Sequence, residues 1–424
     1  MIKNQYKLGL IGLGYVGLPL SIEFGKLFET IGYDRDSKRV SELLNSIDKN
    51  LESSKQDFKK ATQLVFTNDI NDLVDCNIFI VTVPTPINST NEPDLKPLKD
   101  ASELVGSILK PGDIVIYEST VFPGATEEVC VPLLEKTSGL TFNNDFFCGY
   151  SPERVNPGDK EHKLTNIMKI TSGSTPECAS TVDKLYSSII KAGTFLVDDI
   201  KIAEAAKVIE NIQRDVNIAL VNELSQIFSQ LEINTDKVLT AAETKWNFMS
   251  FKPGLVGGHC IGVDPYYLTH KAIESGFDPK IILAGREINN GMGRYVAEEV
   301  LRLMEESSIS KLGSRILVLG LSFKEDCPDI RNTRVVDIID VLKESGCKVD
   351  VYDPWVDKSS AKTEYNIDII KLEEDGRYDT VIIATAHSEF KAISKTTLQK
   401  LTKEKSIVYD VKSILPSDLS DGSL

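Results

Sequence analysis

One cysteine stands inside a glycine-rich segment, FKPGLVGGHCIGVDPYYL at 251–268. Cys260 follows Gly257 and Gly258 and precedes Asp264 by four residues. A thiolate there is a nucleophile able to hold a carbonyl carbon covalently, and a carboxylate beside it can move protons. Gly254, Gly257, Gly258, Gly262 and Pro265 argue against a helix, since glycine costs about 1 kcal/mol and proline about 3 in a helix interior. The whole of 251–268 is therefore expected to be a tight loop in which missing side chains let a ligand approach the backbone. The plainer alternative is a turn with a cysteine packed as a small hydrophobe. Upstream, Lys207 and Asn211 are four apart and Arg214 three further. In a helix they share one face, which is either a row of substrate contacts or a solvated polar stripe.

The second chemical signal is Gly12-Leu-Gly14-Tyr15-Val16-Gly17, which follows the apolar run KLGLI. A lone GxGxxG is weak, but here a strand precedes it, a helical pattern follows, and Asp34 ends the next strand, 22 residues past Gly12. The glycines permit a tight turn and let a pyrophosphate reach the helix N-terminus, while Asp34 accepts from a ribose 2′-hydroxyl. The charge of Asp34 favours NAD over NADP, with Arg35 and Arg39 keeping the second option open. Thr85, Thr120 and Glu153 fall at the ends of later strands, CNIFIVTVPTP, DIVIYEST and DFFCGYSPER. Ligands collect beyond the carboxyl ends of parallel strands, although threonine before proline or at a helix start is also ordinary turn chemistry.

The rest of the chain must position these groups. At 424 residues it is too long for one core. It is 41% hydrophobic and 26% charged, without an apolar run long enough to span a bilayer or a signal-peptide pattern. Seven scattered cysteines lack a CxxC and point to reduced thiols in a cytoplasm. Four scattered histidines (162, 259, 270, 387) give no metal-ligand spacing. The net charge of −15 disfavours nucleic acid, while an anionic small molecule remains acceptable if a few cations line its site.

Residues 194–252 contain no glycine or proline, and 200–231 carries apolar residues at helical spacing. That predicts a helix roughly 45 Å long, a spine between domains and a subunit contact. A second helix is expected over 279–308, with Arg286, Asn289 and Asn290 near its start, before a polar linker at 305–314. Strands at 314–326, 347–355 and 380–387 then repeat the α/β pattern with Gly320 standing alone, so a second, nucleotide-like ligand is expected. Lys324, Arg331 and Arg334 supply positive charge there, if they are not simply solvated. The fold class is thus α/β, with two Rossmann-like doubly wound parallel-sheet domains (1–199 and 309–424) joined by a long central helix and a helical middle domain (200–308).

In order, GLGYVG, TVPTP, ESTVFPG, SPERVNPGD, AEAAKVIEN, GGHCIGVD and GLSFK with Arg331 resemble the nucleotide-sugar 6-dehydrogenases, relatives of UDP-glucose 6-dehydrogenase. The resemblance covers nearly the whole chain. It implies an NAD domain, a C-terminal UDP-sugar domain and a homodimer formed through the long helix. It makes Cys260 the nucleophile, Asp264 its partner carboxylate, and Lys207 and Asn211 the pair contacting the reacting oxygen. It makes Thr120 the holder of the catalytic water, Glu153 the first glutamate of its loop, Lys324 a sugar contact, and Arg331 an arginine reaching the cofactor. Candidate substrate contacts are Glu153, Arg154, Lys207, Asn211, Arg214, Phe251, Gly257 and Lys324. Candidate cofactor contacts are Gly12, Gly14, Tyr15, Val16, Gly17, Asp34, Arg35, Arg39, Thr85, Thr120 and Arg331. The sequence departs from the UDP-glucose enzymes at Pro157, where a second glutamate is usual, at His259 and at Val263. SPERVNPGD, ENIQRDVN and GGHCIGVDPYYL look like the branch oxidising UDP-N-acetylhexosamines, most like the N-acetylglucosamine and N-acetylgalactosamine enzymes of capsule and O-antigen synthesis. The N-acetylmannosamine enzymes are the nearest competitor.

The implied reaction turns a C6 primary alcohol into a carboxylate and removes four electrons, so two NAD+ must act in succession. A Cys260 thiolate would hold the intermediate aldehyde as a thiohemiacetal, then as a thioester that water hydrolyses. Lys207 and Asn211 suit the oxyanion, Asp264 proton transfer, and Thr120 with Glu153 the hydrolytic water.

Overall fold

The computed structural model describes residues 6–50, 52–155 and 163–424. Pro157 and His162 lie outside them. Two compact units emerge: Met1–Glu210 with Tyr266–Phe277, and Asn211–Pro265 with Asp278–Leu424.

Among the described residues, the first unit carries an eight-stranded sheet. Its strands are β1 (Lys7–Ile11), β2 (Glu29–Tyr33), β3 (Leu64–Thr67), β4 (Ile78–Val81), β5 (Ile114–Tyr117), β6 (Phe147–Tyr150), β7 (Lys169–Gly173) and β8 (Thr194–Leu196). The order is β3-β2-β1-β4-β5-β6-β7-β8, parallel except where β7 pairs antiparallel with β6. Near-continuous apolar runs such as IFIV in β4 and IVIY in β5 are fully buried, as a sheet covered on both faces requires. The core beneath it joins Leu8, Leu10, Ile80 and Ile116 to Phe24 and Tyr186 from flanking helices. Strand order reverses beside β1, which places a ligand crevice at the carboxyl ends of β1 and β4.

The second unit carries β9 (Arg315–Leu319), β10 (Lys348–Tyr352), β11 (Tyr378–Ile383), β12 (Thr402–Asp410) and β13 (Gly422–Ser423), all parallel in the order β10-β9-β11-β12-β13. It repeats the first unit's opening motif in detail. Gly320 after β9 has φ +97°, as Gly12 after β1 has φ +96°. Asp353 after β10 accepts from the Leu321 N–H at 2.7 Å, as Asp34 after β2 accepts from the Leu13 N–H at 2.9 Å. The helix Lys280–Glu306 packs Met292, Val296 and Val300 against Ile316 and Val318 of this sheet.

The long helix runs Ile200–Gln230, close to the predicted 200–231. One expectation fails. The glycine-rich segment is a loop only as far as Val263, and a helix begins at Asp264 and runs to Glu274. Pro265 does not block that helix, because in the first turn a proline lacks only an N–H that would be unpaired anyway.

Candidate active site

In the first unit the dinucleotide loop is built as its glycines demand. A Cβ on Gly17 would lie 1.8 Å from the Gly12 carbonyl oxygen and 2.4 Å from Thr82 Oγ1, whereas one on Gly14 would meet nothing within 4 Å. Gly17 is thus required for helix-to-strand packing, and Gly14 leaves open the space a pyrophosphate would take. Tyr15 and Val16 complete the turn before the helix Gly17–Gly25. Thr82, beyond β4, donates to the Gly12 carbonyl at 2.7 Å and braces the turn. The Asp34 carboxylate accepts from Leu13 and, at 3.0 Å, from the Asp36 N–H. Arg39 donates to the Leu13 carbonyl at 3.0 Å and pairs with Asp48 at 2.9 Å, while Arg35 is exposed. These residues fit NAD: a glycine cradle for phosphates and a carboxylate for the ribose hydroxyls.

Thr85, Thr120 and Glu153 follow β4, β5 and β6, so all three leave the sheet at one edge. Glu153 accepts from the N–H groups of Arg154 and Val155, which turns its carboxylate back onto its own loop. Arg154 grips Glu210 of the long helix at 2.6 Å and the Met168 carbonyl at 2.8 Å. Earlier on that helix, buried Glu204 accepts from the Gly124 N–H at 2.5 Å and from Thr126 N–H and Oγ1 at 2.9 and 2.7 Å. Burial pushes the Glu204 carboxyl up to about 7, against the lowering effect of those three bonds. Lys207, three residues on, is buried.

In the second unit, Cys260 is half-buried, whereas the six other thiols of the chain are buried. Burial pushes the Cys76 and Cys130 thiols up to about 12 and Cys178 to about 11, which makes them inert. The Cys260 carbonyl accepts from the N–H groups of Val263 and Asp264 at 3.0 and 2.8 Å, so it opens the Asp264–Glu274 helix. Asp264, 2% exposed, accepts from Asn211 Nδ2 at 2.5 Å. The first turn of a helix favours an anion there. Asn211 is buried and Arg214 exposed, so the two do not share one environment.

The Cys260 loop is fastened at two points. Gly258 donates its N–H to the Arg331 carbonyl at 3.1 Å and accepts from Asn332 Nδ2 at 3.2 Å. A Cβ on Gly258 would lie 2.7 Å from the Phe323 ring, at φ +81°, so glycine is required by both space and backbone. Behind it, Asn222 of the long helix exchanges two hydrogen bonds with Gly254, at 3.1 and 2.8 Å, and donates to Asn289 at 2.8 Å. Asn289 and Arg286 both bind Asp215, at 2.7 and 2.6 Å. The polar residues at the start of the Lys280–Glu306 helix are therefore a buried scaffold. Phe251 opens the loop, half-buried. Arg331 grips Asp329 through Nε and Nη2 at 2.9 and 2.6 Å. Burial would raise the Asp329 carboxyl, but that guanidinium and the Arg331 N–H hold it below the usual range. His259 Nδ1 stands 3.7 Å from the same carboxylate.

A pocket beside this loop is lined by Gly257, Phe323, Lys324, Arg334 and Lys412. Burial holds the Lys412 ammonium below the usual lysine range, opposed by the charge of Glu325. The pocket's three cations outnumber the one carboxylate on the lining, Glu325, so it is locally positive in a chain of net charge −15. Sequence reasoning misses Lys412, although it closely follows β12 and so leaves a carboxyl edge of the kind that singles out Thr120 and Glu153. It misses Thr82, Glu204 and Asn222 too, because one polar residue in an apolar strand or helix carries no pattern. Asp326, His387 and Glu389 gather within 4.8 Å. Both ring nitrogens of His387 are engaged, Nδ1 by the Asp326 N–H at 2.9 Å and Nε2 by Asp353 at 3.2 Å, which leaves none to ligate an ion.

A dinucleotide fold in one unit, and a thiol with a carboxylate on a second nucleotide-type fold, define an oxidoreductase of the Rossmann class. Three family models match: the NAD binding, central and UDP binding domains of the UDP-glucose/GDP-mannose dehydrogenase family, at 6–190, 201–291 and 317–417. The chain belongs to that family, and NAD is its cofactor. It is 54% identical over 418 residues to UDP-N-acetyl-D-glucosamine 6-dehydrogenase of Salmonella typhi (99% of this chain, 98% of that one). It is 57% identical to the enzyme of the same name from Pseudomonas aeruginosa (99% of each). The structure of a UDP-D-ManNAc dehydrogenase from Pyrococcus horikoshii superposes with a TM-score of 0.89 at 32% identity, covering 97% of this chain and 96% of that one.

Proposed function

We propose that this protein oxidises C6 of UDP-N-acetyl-D-glucosamine to the carboxylate, in two NAD+-dependent steps through a covalent adduct on Cys260. The observation that carries the reaction type is the single accessible thiol, one helical turn from a buried Asp264 that Asn211 holds at 2.5 Å. The two relatives above half identity support the sugar. Bound NAD+ supplies the hydride acceptor in each step. Asp264 takes the proton of the C6 hydroxyl, and the aldehyde is captured by the Cys260 sulfur. Lys207 and Asn211 donate to the resulting oxyanion. Thr120 and Glu153 place the water that releases the acid. Lys324 contacts the sugar, Arg334 and Lys412 bring positive charge to the UDP-sugar site, and Arg154 orders the Glu153 loop.

We further infer a reading in three regions, 1–199 for NAD, 200–308 for the nucleophile and subunit contact, and 309–424 for the UDP-sugar. The exposed Leu220 and Ile227 of the long helix, two turns apart, and the nearly bare Trp246 support a homodimer. No described helix is long and apolar enough to cross a membrane, and cysteines without disulfides suit a reducing cytoplasm. The uronate would feed surface-polysaccharide synthesis. NADH formation measured across UDP-GlcNAc, UDP-GalNAc, UDP-ManNAc and UDP-glucose tests the reading. Two NADH per sugar with preference for UDP-GlcNAc is expected, and one NADH per sugar removes the thioester half. Preference for UDP-ManNAc would reassign the substrate, and light scattering reports the dimer.

A further inference from the structure

Strand β7 pairs antiparallel with β6, Tyr150 facing Ser172, so β7 begins beyond the point where β6 ends. Its first residue, Lys169, is thereby delivered to the carboxyl edge from which Thr120 and Glu153 depart. The Nζ of Lys169 donates to Glu118 Oε2 at 2.8 Å, to the Pro152 carbonyl at 3.0 Å and to the Ser151 carbonyl at 3.4 Å. Glu118 also accepts from the Tyr186 hydroxyl. The lysine side chain is 3% exposed and the glutamate not at all. Glu118 lies two residues before Thr120, and Pro152 one before Glu153. One ammonium thus binds both loops.

We propose that Lys169 is a positioning residue that sets the spacing between the Thr120 loop and the Glu153 loop, and so the placement of the hydrolytic water. This rests on the roles proposed for those two residues. Stability alone would not call for the pair, since a buried ion pair is often replaced by apolar residues of similar volume without loss. An ammonium with three donors can bind a carboxylate and two carbonyls together, and an apolar side chain cannot. The bonds run to the two backbone carbonyls that lead into Glu153, so losing them frees that loop while leaving the sheet intact.

The test compares full-length wild type, Lys169→Met, Glu118→Gln/Lys169→Met and Lys169→Arg, with UDP-GlcNAc and NAD+. Lys169→Met should lower both Tm and kcat, because it strands the Glu118 carboxyl. The double variant should regain most of the Tm while kcat stays down by about a hundredfold, the cost of a small misplacement of reacting groups. KM for both substrates should change little, and intact mass should show sugar-acylated Cys260 accumulating. Should the double variant still melt early, Lys169→Arg, which keeps the charge but exchanges the compact ammonium for a planar fork, reads the same split at an unchanged Tm. Recovery of wild-type kcat together with Tm, or acid release at the normal rate in Lys169→Arg, overturns the proposal. A wild type that yields fewer than two NADH per sugar overturns the reading beneath it as well, and is recognised before any variant is made.

Discussion

Asn211 and Asp264 stand 53 residues apart in the chain and 2.5 Å apart in space, the amide of one donating to the carboxylate of the other. The bond fixes the Asp264 side chain at the start of a helix that the Cys260 carbonyl opens. Asn211→Ala should lower kcat about 10²–10³-fold, the usual effect of deleting one oxyanion donor, with KM for the sugar little changed. Steady-state NADH assays check this, and a rise in KM alone would make Asn211 a simple binding contact.

Thiol accessibility separates Cys260 from the other six cysteines. Iodoacetamide at neutral pH should add one carbamidomethyl group to the folded protein, with loss of activity, and Cys260→Ser should add none. Peptide mass spectrometry locates the label. Modification of Cys76, Cys130 or Cys178 in the native state would contradict their buried, raised pKa values.

Two glycines of the dinucleotide loop should respond differently to the same change. Gly17→Ala drives a methyl into the Gly12 carbonyl and should lower Tm sharply. Gly14→Ala meets open space and should leave Tm alone, while raising KM for NAD+ by at least about tenfold because the methyl occupies the pyrophosphate's place. Equal effects on Tm would refute the distinction.

Asn222→Ala removes three buried hydrogen bonds and leaves Gly254 and Asn289 unsatisfied. A loss of about 1–3 kcal/mol of stability is expected for groups orphaned this way. Urea denaturation measures it, and activity should fall with it because the Cys260 loop hangs from Gly254.

Glu204 predicts a pH dependence with a definite sign. Its folded pKa of about 7 lies above the ordinary glutamate value of 4.5, so between these the folded state binds more protons than the unfolded. Stability should therefore fall as pH rises from about 4.5 to about 7, by on the order of 3 kcal/mol from this group, and then level off. Asp113, raised by burial to about 6, adds in the same direction. The dependence of stability on pH across that range should flatten in Glu204→Gln, and an unchanged slope would remove Glu204 from the account.

Much of the fold is legible in the sequence because its signals are local. Apolar runs of four or five residues leading into glycine, proline or a carboxylate mark β1, β4, β5 and β9, the β-branched run TVII marks β11, and the absence of any breaker marks the long helix. Strands β7 and β8 are not legible, since KITSG and TFL are short and carry no alternation. The start of the Asp264–Glu274 helix is hidden because glycines before a helix and a proline in its first turn are the same residues that make a loop.

The residue types and spacings alone determined a dinucleotide turn with its acid, a cysteine preceded by paired glycines, and a helix long enough to carry Lys207 and Asn211 on one side. Those depend on backbone sterics and periodicity, which act over a few residues. Tertiary structure alone decided that Asn211 would meet Asp264, that Asn222 would hold Gly254, that Lys169 would bind two loops at once, and that Lys412 would enter the cationic pocket. Each of these needs two segments brought together by burial of surfaces elsewhere. A buried polar group takes whichever partner the packing offers, and no nearby residue announces which one that will be.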